Sequence, residues 1–329
     1  MLKTISISIV LISLLFGWLW IDYRSFVAKP IADKSVYIEI AKGDSLSRIC
    51  EKLVALELPV RPFWLKALAI QNRVAGRLQA GDYEIIAGST ASDILALFAS
   101  GKTRQYAITF PEGWNFKQFL EQIRKNPYLK TTIKTSDAKK IMRLVNAEYD
   151  YPEGLFFPDT YFFEKNTTDL AILKRAHERM LAILDHEWRQ KQDRLPFESP
   201  YKALILASIV EKETGIAAER PAIAGVFIRR LEKGMLLQTD PTVIYGMGEA
   251  YQGDIKKQDL LTFTPYNTYV ISGLPPTPIA MPGQASIHAV LHPNDGDSLY
   301  FVAKGDGSHF FSASLDEHNK AVAIYQLKQ

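Results

Sequence analysis

The chain has 329 residues, of which 47% are hydrophobic and 23% are charged. This composition is typical of a globular protein with two or three compact domains, and it excludes a largely disordered chain. The formal net charge is only +3, and the basic residues are scattered among almost as many acidic ones. The sequence therefore lacks the basic footprint of a protein that binds nucleic acid.

The first element in the chain is an apolar segment. Residues 4–21 carry no charge, and Trp18 and Trp20 lie near the end of the run, where aromatic side chains favour a membrane interface. We therefore predict a short cytoplasmic tail over residues 1–4 and a transmembrane helix over residues 5–22. A cleaved signal peptide is the alternative, but no small-x-small cleavage motif follows the run.

A local pattern then recurs: an alternating strand, a glycine turn, a Ser or Thr cap and an amphipathic helix. Its copies begin at Val36, Tyr83 and Tyr106. Because each copy buries its apolar face only against a neighbour, we predict one α+β subdomain over residues 36–125. The first copy resembles a LysM module, a family that binds the amino-sugar backbone of wall polymers. A scaffold domain without a binding role is the equal alternative.

The rest of the chain divides by composition. Residues 126–150 are polar and rich in lysine, and we predict a linker helix there. Residues 151–329 are dense in aromatic residues, proline and glycine, which favours a domain with shaped loops around a cleft.

Two glutamates near the end of one helix are candidates for chemistry. Ser199 and Pro200 begin a helix whose apolar run indicates burial, and Gly215 ends it. Glu211 and Glu213 are two positions apart, about 200° around the helix axis, so they cannot share one site. Glu213 has the more apolar neighbours, and desolvation there would raise its pKa, as a general acid requires.

Several sequence blocks, taken in order, resemble the YceG/MltG-like endolytic lytic transglycosylases of peptidoglycan. The blocks are FPDT (157–160), SIVEKET (208–214), LQTDPTVIYG (237–246), PYNTY (265–269), GLPP (273–276), PG (282–283) and HN (318–319). The resemblance covers essentially the whole chain. It implies an α+β fold with an N-terminal transmembrane helix, a LysM-like subdomain and a C-terminal catalytic domain with a lysozyme-like cleft.

The resemblance also implies site residues and partners. It makes Glu213 the catalytic acid that cleaves the bond between N-acetylmuramic acid and N-acetylglucosamine and leaves 1,6-anhydromuramyl ends. It implies that the enzyme acts on nascent strands beside penicillin-binding synthases and ends their polymerisation. The chain would sit in the inner (plasma) membrane by a single pass, with a periplasmic catalytic domain. The residues expected to line the sugar sites are Gln238, Thr239, Asp240, Tyr245, Asn267 and Tyr269.

Two other functions stay open from the sequence. Asp240 could serve as a second carboxylate, which would make the enzyme an inverting hydrolase. Alternatively, the chain could be a wall-binding scaffold without activity. We predict no cofactor and no metal site, because His288 and His292 lie outside any HExxH motif and Pro293 ends any helix there.

Overall fold

The computed structural model describes residues 2–327, with side chains from Ser6 onward. It is a mixed α+β structure with two compact units. The first comprises Met1–Tyr106 and Phe162–Asn166, and the second comprises Ala107–Tyr161 and Thr167–Gln329.

Helix α1 (Leu2–Ala28) contains the apolar segment. Its portion Ser6–Ala28 is long and apolar enough to cross a membrane, and its most apolar window is entirely unburied. The helix continues about two turns beyond the predicted end at residue 22. Those turns pack on the first unit, since Phe26 is only 6% exposed and belongs to the same core as Ile31 and Ala32.

The first unit contains two strand-turn-helix copies, as the repeat predicts. The chain order after α1 is β1 (Val36–Ile40), α2 (Leu46–Ala55), α3 (Pro62–Gln71), β2 (Gly81–Ile85) and α4 (Ala91–Ser100). Strands β1 and β2 pair antiparallel. The side chains of Ser45 and Thr90 accept hydrogen bonds from the first-turn amides of α2 and α4, so the predicted caps begin both helices.

The helix of the third copy does not join this unit. The strand of that copy, β3 (Gln105–Thr109), pairs with β4 (Thr160–Glu164), and its helix α5 (Phe116–Lys125) lies in the second unit. Two aromatic contacts within that unit explain the difference. Phe119 stacks on Phe110 with ring centroids 4.2 Å apart, and Phe116 stacks on Phe156 at 5.2 Å. The subdomain predicted over residues 36–125 therefore ends earlier, near Tyr106.

The predicted linker helix over residues 126–150 is reduced to α6 (Ala138–Leu144), which Asp137 caps. The residues before it form a loop for a specific reason. The backbone amides of Thr132 and Ile133 donate to the carboxylate of Asp169, at 2.9 and 3.0 Å. A helix would direct these amides to its own carbonyl groups, so the bonds to Asp169 hold the segment out of helical geometry.

The second unit is built around a buried helix. Its remaining elements are α7 (Asp169–Arg189), α8 (Pro200–Glu213), α9 (Arg220–Glu232), α10 (Asp240–Met247), α11 (Lys257–Leu261), α12 (Gln284–Leu291), β5 (Tyr300–Ala303), β6 (His309–Ser312) and α13 (Leu315–Tyr325). Helix α8 packs against α7, α9, α10 and α12, so residues 203–210 are all buried. Strands β5 and β6 form an antiparallel hairpin that α13 covers.

Candidate active site

Glu213 is the last residue of α8, where the helix emerges from the core. Ser199 caps the start of the helix by accepting from the amide of Lys202, and Pro200 occupies the first turn, as the sequence predicts. The Glu213 side chain is half-buried and faces a cavity of about 400 Å³. The hydroxyl of Thr239 donates a hydrogen bond to its Oε1. Helix α8 is buried up to this point, so it contributes one acidic side chain, that of Glu213, to the cavity.

The surroundings of Glu213 favour its protonated form. Burial raises the pKa of its carboxyl group to about 7, and the negative charge of Asp240 acts in the same direction. The hydrogen bond from Thr239 and the positive charge of His309 oppose this rise in pKa. A carboxyl group with a pKa near 7 can both donate and accept a proton at neutral pH.

Glu211 has a separate, structural environment. Its carboxylate Oε2 accepts from the amide of Gly283 at 3.0 Å and from the hydroxyl of Ser286 at 2.7 Å, at the start of α12. Arg220 lies 3.8 Å from its other oxygen, and only 6% of the Glu211 side chain is exposed. Glu211 therefore caps α12, whereas Glu213 faces the cavity, and the two glutamates do not share a site.

Three of the other expected site residues line the same cavity: Gln238, Asp240 and Tyr269. The Tyr269 hydroxyl donates to Oδ1 of Asp240 at 2.6 Å. The amide of Gln238 donates to the carbonyl of Thr268 at 3.1 Å, and this bond helps hold Gln238 at a φ of +52°. Such a φ is uncommon for a residue other than glycine, so surrounding contacts must hold it.

Thr239 lies behind the cavity wall and is only 2% exposed. Its amide donates to the hydroxyl of Thr268 at 3.1 Å, and its carbonyl accepts from the hydroxyl of Thr242 at 2.7 Å. These bonds fix the backbone at the start of α10. The Thr239 hydroxyl is consequently held in place to orient Glu213.

Comparison with known proteins identifies the family of the chain. A model of the YceG-like family matches residues 38–324.

The chain belongs to the YceG-like family.

Individual relatives agree with this assignment. The endolytic murein transglycosylase of Bacillus subtilis (strain 168) is 33% identical over 325 residues, which cover 92% of this chain and 89% of the relative. The endolytic murein transglycosylase of Streptococcus pneumoniae serotype 2 (strain D39) is 28% identical. That match covers 75% of this chain and half of the pneumococcal protein.

A solved structure is also similar. The crystal structure of a yceG-like protein from Listeria monocytogenes superposes with a TM-score of 0.55 at 30% sequence identity. The match covers 88% of this chain and 99% of the Listeria chain. The resemblance that the sequence blocks indicate is therefore confirmed at the level of the family.

In this YceG-like chain, two expected sugar-site residues lie away from the Glu213 cavity. Asn267 is fully buried, and its amide group donates to three backbone carbonyls, those of Asp259, Leu260 and Thr262, at 2.7–3.2 Å. An amide group engaged in this way holds a loop and has no donor left for a sugar.

Tyr245 lines a second cavity of about 750 Å³. Its hydroxyl donates to Oε2 of Glu153 at 3.0 Å, while the amide of Phe116 donates to Oε1 at 2.9 Å. Burial raises the pKa of Glu153 to about 7, despite these two hydrogen bonds. A buried acidic group, Glu153, therefore lies beside Tyr245. The sequence analysis did not identify Glu153.

Sequence reasoning also missed several residues of the Glu213 cavity, among them Arg230, Tyr300, His309 and His318. Arg230 donates to the carbonyls of Leu236 and Leu237 at 3.0 Å each, and so supports the loop that carries Gln238. None of these residues lies next to Glu213 in the sequence, and of the four only His318 falls in a block that carries the family resemblance, HN (318–319). Only the packing of α9, the β5–β6 hairpin and α13 brings them to the cavity.

His309 is held by a carboxylate. Its Nδ1 lies 2.8 Å from Oε2 of Glu219, and its backbone amide donates to Oε1 at 2.9 Å. The pair is mostly buried, with side chains 10% and 15% exposed. His309 thus presents its ring to the cavity in a fixed orientation.

One further group of side chains could in principle hold a metal ion. Glu187, His288 and His292 offer ligand atoms that lie within 4.8 Å of one another. The Nδ1 of His288 is 2.8 Å from Glu187, and Nε2 of His292 is 2.7 Å from the carbonyl of Gln190. Each of these nitrogens already has a protein partner. The prediction that the chain has no metal site remains a prediction.

Proposed function

We propose that this chain is an endolytic lytic transglycosylase of peptidoglycan, with Glu213 as its catalytic acid and base. The observation that carries the proposal is the half-buried carboxyl group of Glu213, with a pKa near 7, on the wall of a 400 Å³ cavity. The relatives named endolytic murein transglycosylase support the choice of substrate.

Glu213 first donates its proton to the glycosidic oxygen between N-acetylmuramic acid and N-acetylglucosamine. The bond from the muramyl anomeric carbon to that oxygen breaks, and positive charge develops on the ring. The muramyl 6-hydroxyl then attacks the anomeric carbon and gives its proton to the ionised Glu213. The acid is restored, and the product is a 1,6-anhydromuramyl end.

The position of Thr239 suits this cycle. Its hydroxyl bonds to Oε1 of Glu213, and among the described residues no hydrogen bond to Oε2 is present. Oε2 is therefore the oxygen available to carry the proton toward a substrate. Gln238, Asp240 and Tyr269 offer hydrogen bonds and an aromatic face to the sugars beside it.

Hydrolysis is the second candidate because Asp240 lines the same cavity as Glu213. An inverting hydrolase would use Asp240 to activate water. The Tyr269 hydroxyl donates to Oδ1 of this carboxylate at 2.6 Å, and the reaction products distinguish hydrolysis from transglycosylation. A non-catalytic wall-binding scaffold is the third candidate, and the relatives named endolytic murein transglycosylase argue against it.

Mass spectrometry of digested peptidoglycan separates these functions. The full chain in detergent should release internal fragments with 1,6-anhydromuramic acid ends, and Glu213→Gln should release none. Glu198→Gln is the matched control, because Glu198 is exposed and belongs to no cavity described above. Reducing ends would establish a hydrolase. Absence of cleavage by the wild-type chain would favour the scaffold.

The remaining assignments follow from this activity. Helix α1 would anchor the chain by a single pass in the inner membrane, with the second unit in the periplasm, because peptidoglycan lies outside the cytoplasm. The first unit would be a LysM-like module, and the second would contain a lysozyme-like cleft within residues 151–329. Penicillin-binding synthases would be the partners, and cleavage would end the growth of nascent strands. Co-purification of synthases with the full chain tests whether they are its partners.

A further inference from the structure

Helix α3 lies across α1 at the point where the apolar segment ends. Trp18, Trp20 and Ile21 on α1 are 61–69% exposed, as expected for side chains that face lipid. The next residue, Asp22, accepts from the indole of Trp64 at 2.9 Å and pairs with Arg61. The hydroxyl of Tyr23 donates to Gln71.

These contacts fix the direction of α3. Arg61 and Gln71 lie at opposite ends of the helix, about 15 Å apart along its axis. They reach two adjacent residues of α1, Asp22 and Tyr23, which are about 1.5 Å apart along that axis. Helix α3 therefore runs across α1. If α1 crosses a bilayer, α3 lies parallel to the membrane surface, beside the last lipid-facing residues.

The outer face of α3 is apolar. Phe63 is 70% exposed and Ile70 is 69% exposed, whereas Leu65 and Leu68 on the opposite side are buried in the core of the first unit. Seven residues on a helix bring Phe63 and Ile70 within about 20° of one another around the axis. The two side chains thus form one exposed stripe, which we call the α3 face.

The charged residues of the segment that contains α3 are all basic. Residues 61–77 contain Arg61, Lys66, Arg73 and Arg77 and no acidic residue. Arg73 and Arg77 are exposed. Asp22 pairs with Arg61, so the charges that this segment adds beside the stripe are those of Lys66, Arg73 and Arg77. An apolar stripe with basic residues beside it is the pattern of a helix that lies in a membrane interface with anionic headgroups.

We propose that the α3 face, formed by Phe63 and Ile70, lies in the interface of an anionic lipid bilayer and holds the first unit against the membrane. The inference depends on the membrane anchoring by α1 given under the proposed function. Its occupant is the bilayer surface because ring contacts link the face to the lipid-facing end of α1: Trp20 contacts Tyr23 with centroids 6.4 Å apart, Tyr23 contacts Trp64 at 5.3 Å, and Trp64 contacts Phe63 at 4.8 Å. The basic residues beside the face match anionic headgroups.

The test uses the full chain, one copy in each lipid nanodisc, with an environment-sensitive fluorophore on single introduced cysteines. The labelled variants are Phe63→Cys, Ile70→Cys, Leu14→Cys and Lys42→Cys. Cys50 is buried and is replaced by alanine, or left in place if that variant does not fold. Leu14 reports on the bilayer, and exposed Lys42, in the turn after β1, reports on a site outside α1 and α3.

A nitroxide attached to lipids near the headgroup should quench the labels of the Phe63→Cys and Ile70→Cys variants. Leu14 should lose fluorescence to a nitroxide deep in the acyl chain, and Lys42 to neither. Discs of phosphatidylcholine with phosphatidylglycerol should give the stronger loss at the α3 face. The double variant Arg73→Gln, Arg77→Gln should remove that difference.

Other outcomes overturn the inference in distinguishable ways. If Leu14 is quenched while Phe63 and Ile70 behave like Lys42, the α3 face is free and the anchor stands. If Leu14 is not quenched either, the membrane anchoring itself fails. Labels that are shielded from water but not quenched by lipid would show that protein covers the face. Equal quenching in neutral and anionic discs, unchanged by the double variant, would contradict the role of anionic lipid.

Discussion

Replacing Glu213 with glutamine should make the second unit more stable at alkaline pH. The carboxyl pKa is raised from 4.5 to about 7 in the folded protein, so the folded state holds this proton more tightly than the unfolded chain does. The stability linked to this proton is fully present below pH 4.5 and is lost as the pH rises to about 7. Glutamine stays neutral and undergoes no such loss.

The structure sets the size of this effect. Each pKa unit corresponds to about 1.4 kcal/mol, so the whole loss between pH 4.5 and 7 is about 3 kcal/mol. Solvent reaches part of the Glu213 side chain, which lowers the value to about 2 kcal/mol. Glu213→Gln should therefore resemble the wild type near pH 4.5 and exceed its stability by about 2 kcal/mol at pH 8.5.

Hydrogen exchange of the α8 amides measures this difference, after correction for the pH dependence of intrinsic exchange. Glu211→Gln is the matched control on the same helix. It weakens the contacts to Gly283, Ser286 and Arg220, so it should destabilise the unit by about 1–3 kcal/mol at both pH values. If Glu213→Gln is destabilised at both values, or if its difference from wild type does not grow with pH, the reasoning about Glu213 is refuted.

Four further predictions test the site and its supports. The wild-type cleavage rate should fall as the pH rises through about 7, because Glu213 must carry a proton, and a pH–rate profile measures this. Asp240→Asn should slow cleavage but leave 1,6-anhydro ends, as mass spectrometry would show. Asn267→Ala should lose about 2 kcal/mol of stability in thermal unfolding, since three carbonyls lose their donor. Phe26→Ala should destabilise the first unit by about 3–5 kcal/mol, measured by hydrogen exchange of β1 and β2.

Each of these has a contrary outcome. A rate that stays constant from pH 6 to 9 would remove Glu213 from the role of acid. Reducing ends that disappear with Asp240→Asn would favour hydrolysis. An Asn267→Ala protein with normal stability and weakened substrate binding would return Asn267 to the sugar site. An unchanged first unit in Phe26→Ala would mean that the end of α1 does not support that core.

The sequence predicted those features that depend on local patterns. The apolar run predicted α1, and the strand-turn-cap pattern predicted β1 with α2 and β2 with α4, because caps and turns act through neighbouring residues. The same local reasoning extended the first unit too far, to residue 125. Helix α5 begins at a polar cap, Asn115, but its aromatic partners Phe110 and Phe156 come from the second unit.

The candidate site divides in the same way. Ser199, Pro200 and the apolar run fixed the position of α8 in the sequence, and the helical period separated Glu213 from Glu211. Only the tertiary structure decided that Gln238, Asp240 and Tyr269 meet Glu213 while Tyr245 and Asn267 lie elsewhere. The physical reason is that helical period depends on adjacent residues, whereas convergence on a cavity depends on how distant elements pack. Which polar side chains remain available there depends on whether backbone groups have already taken their hydrogen bonds.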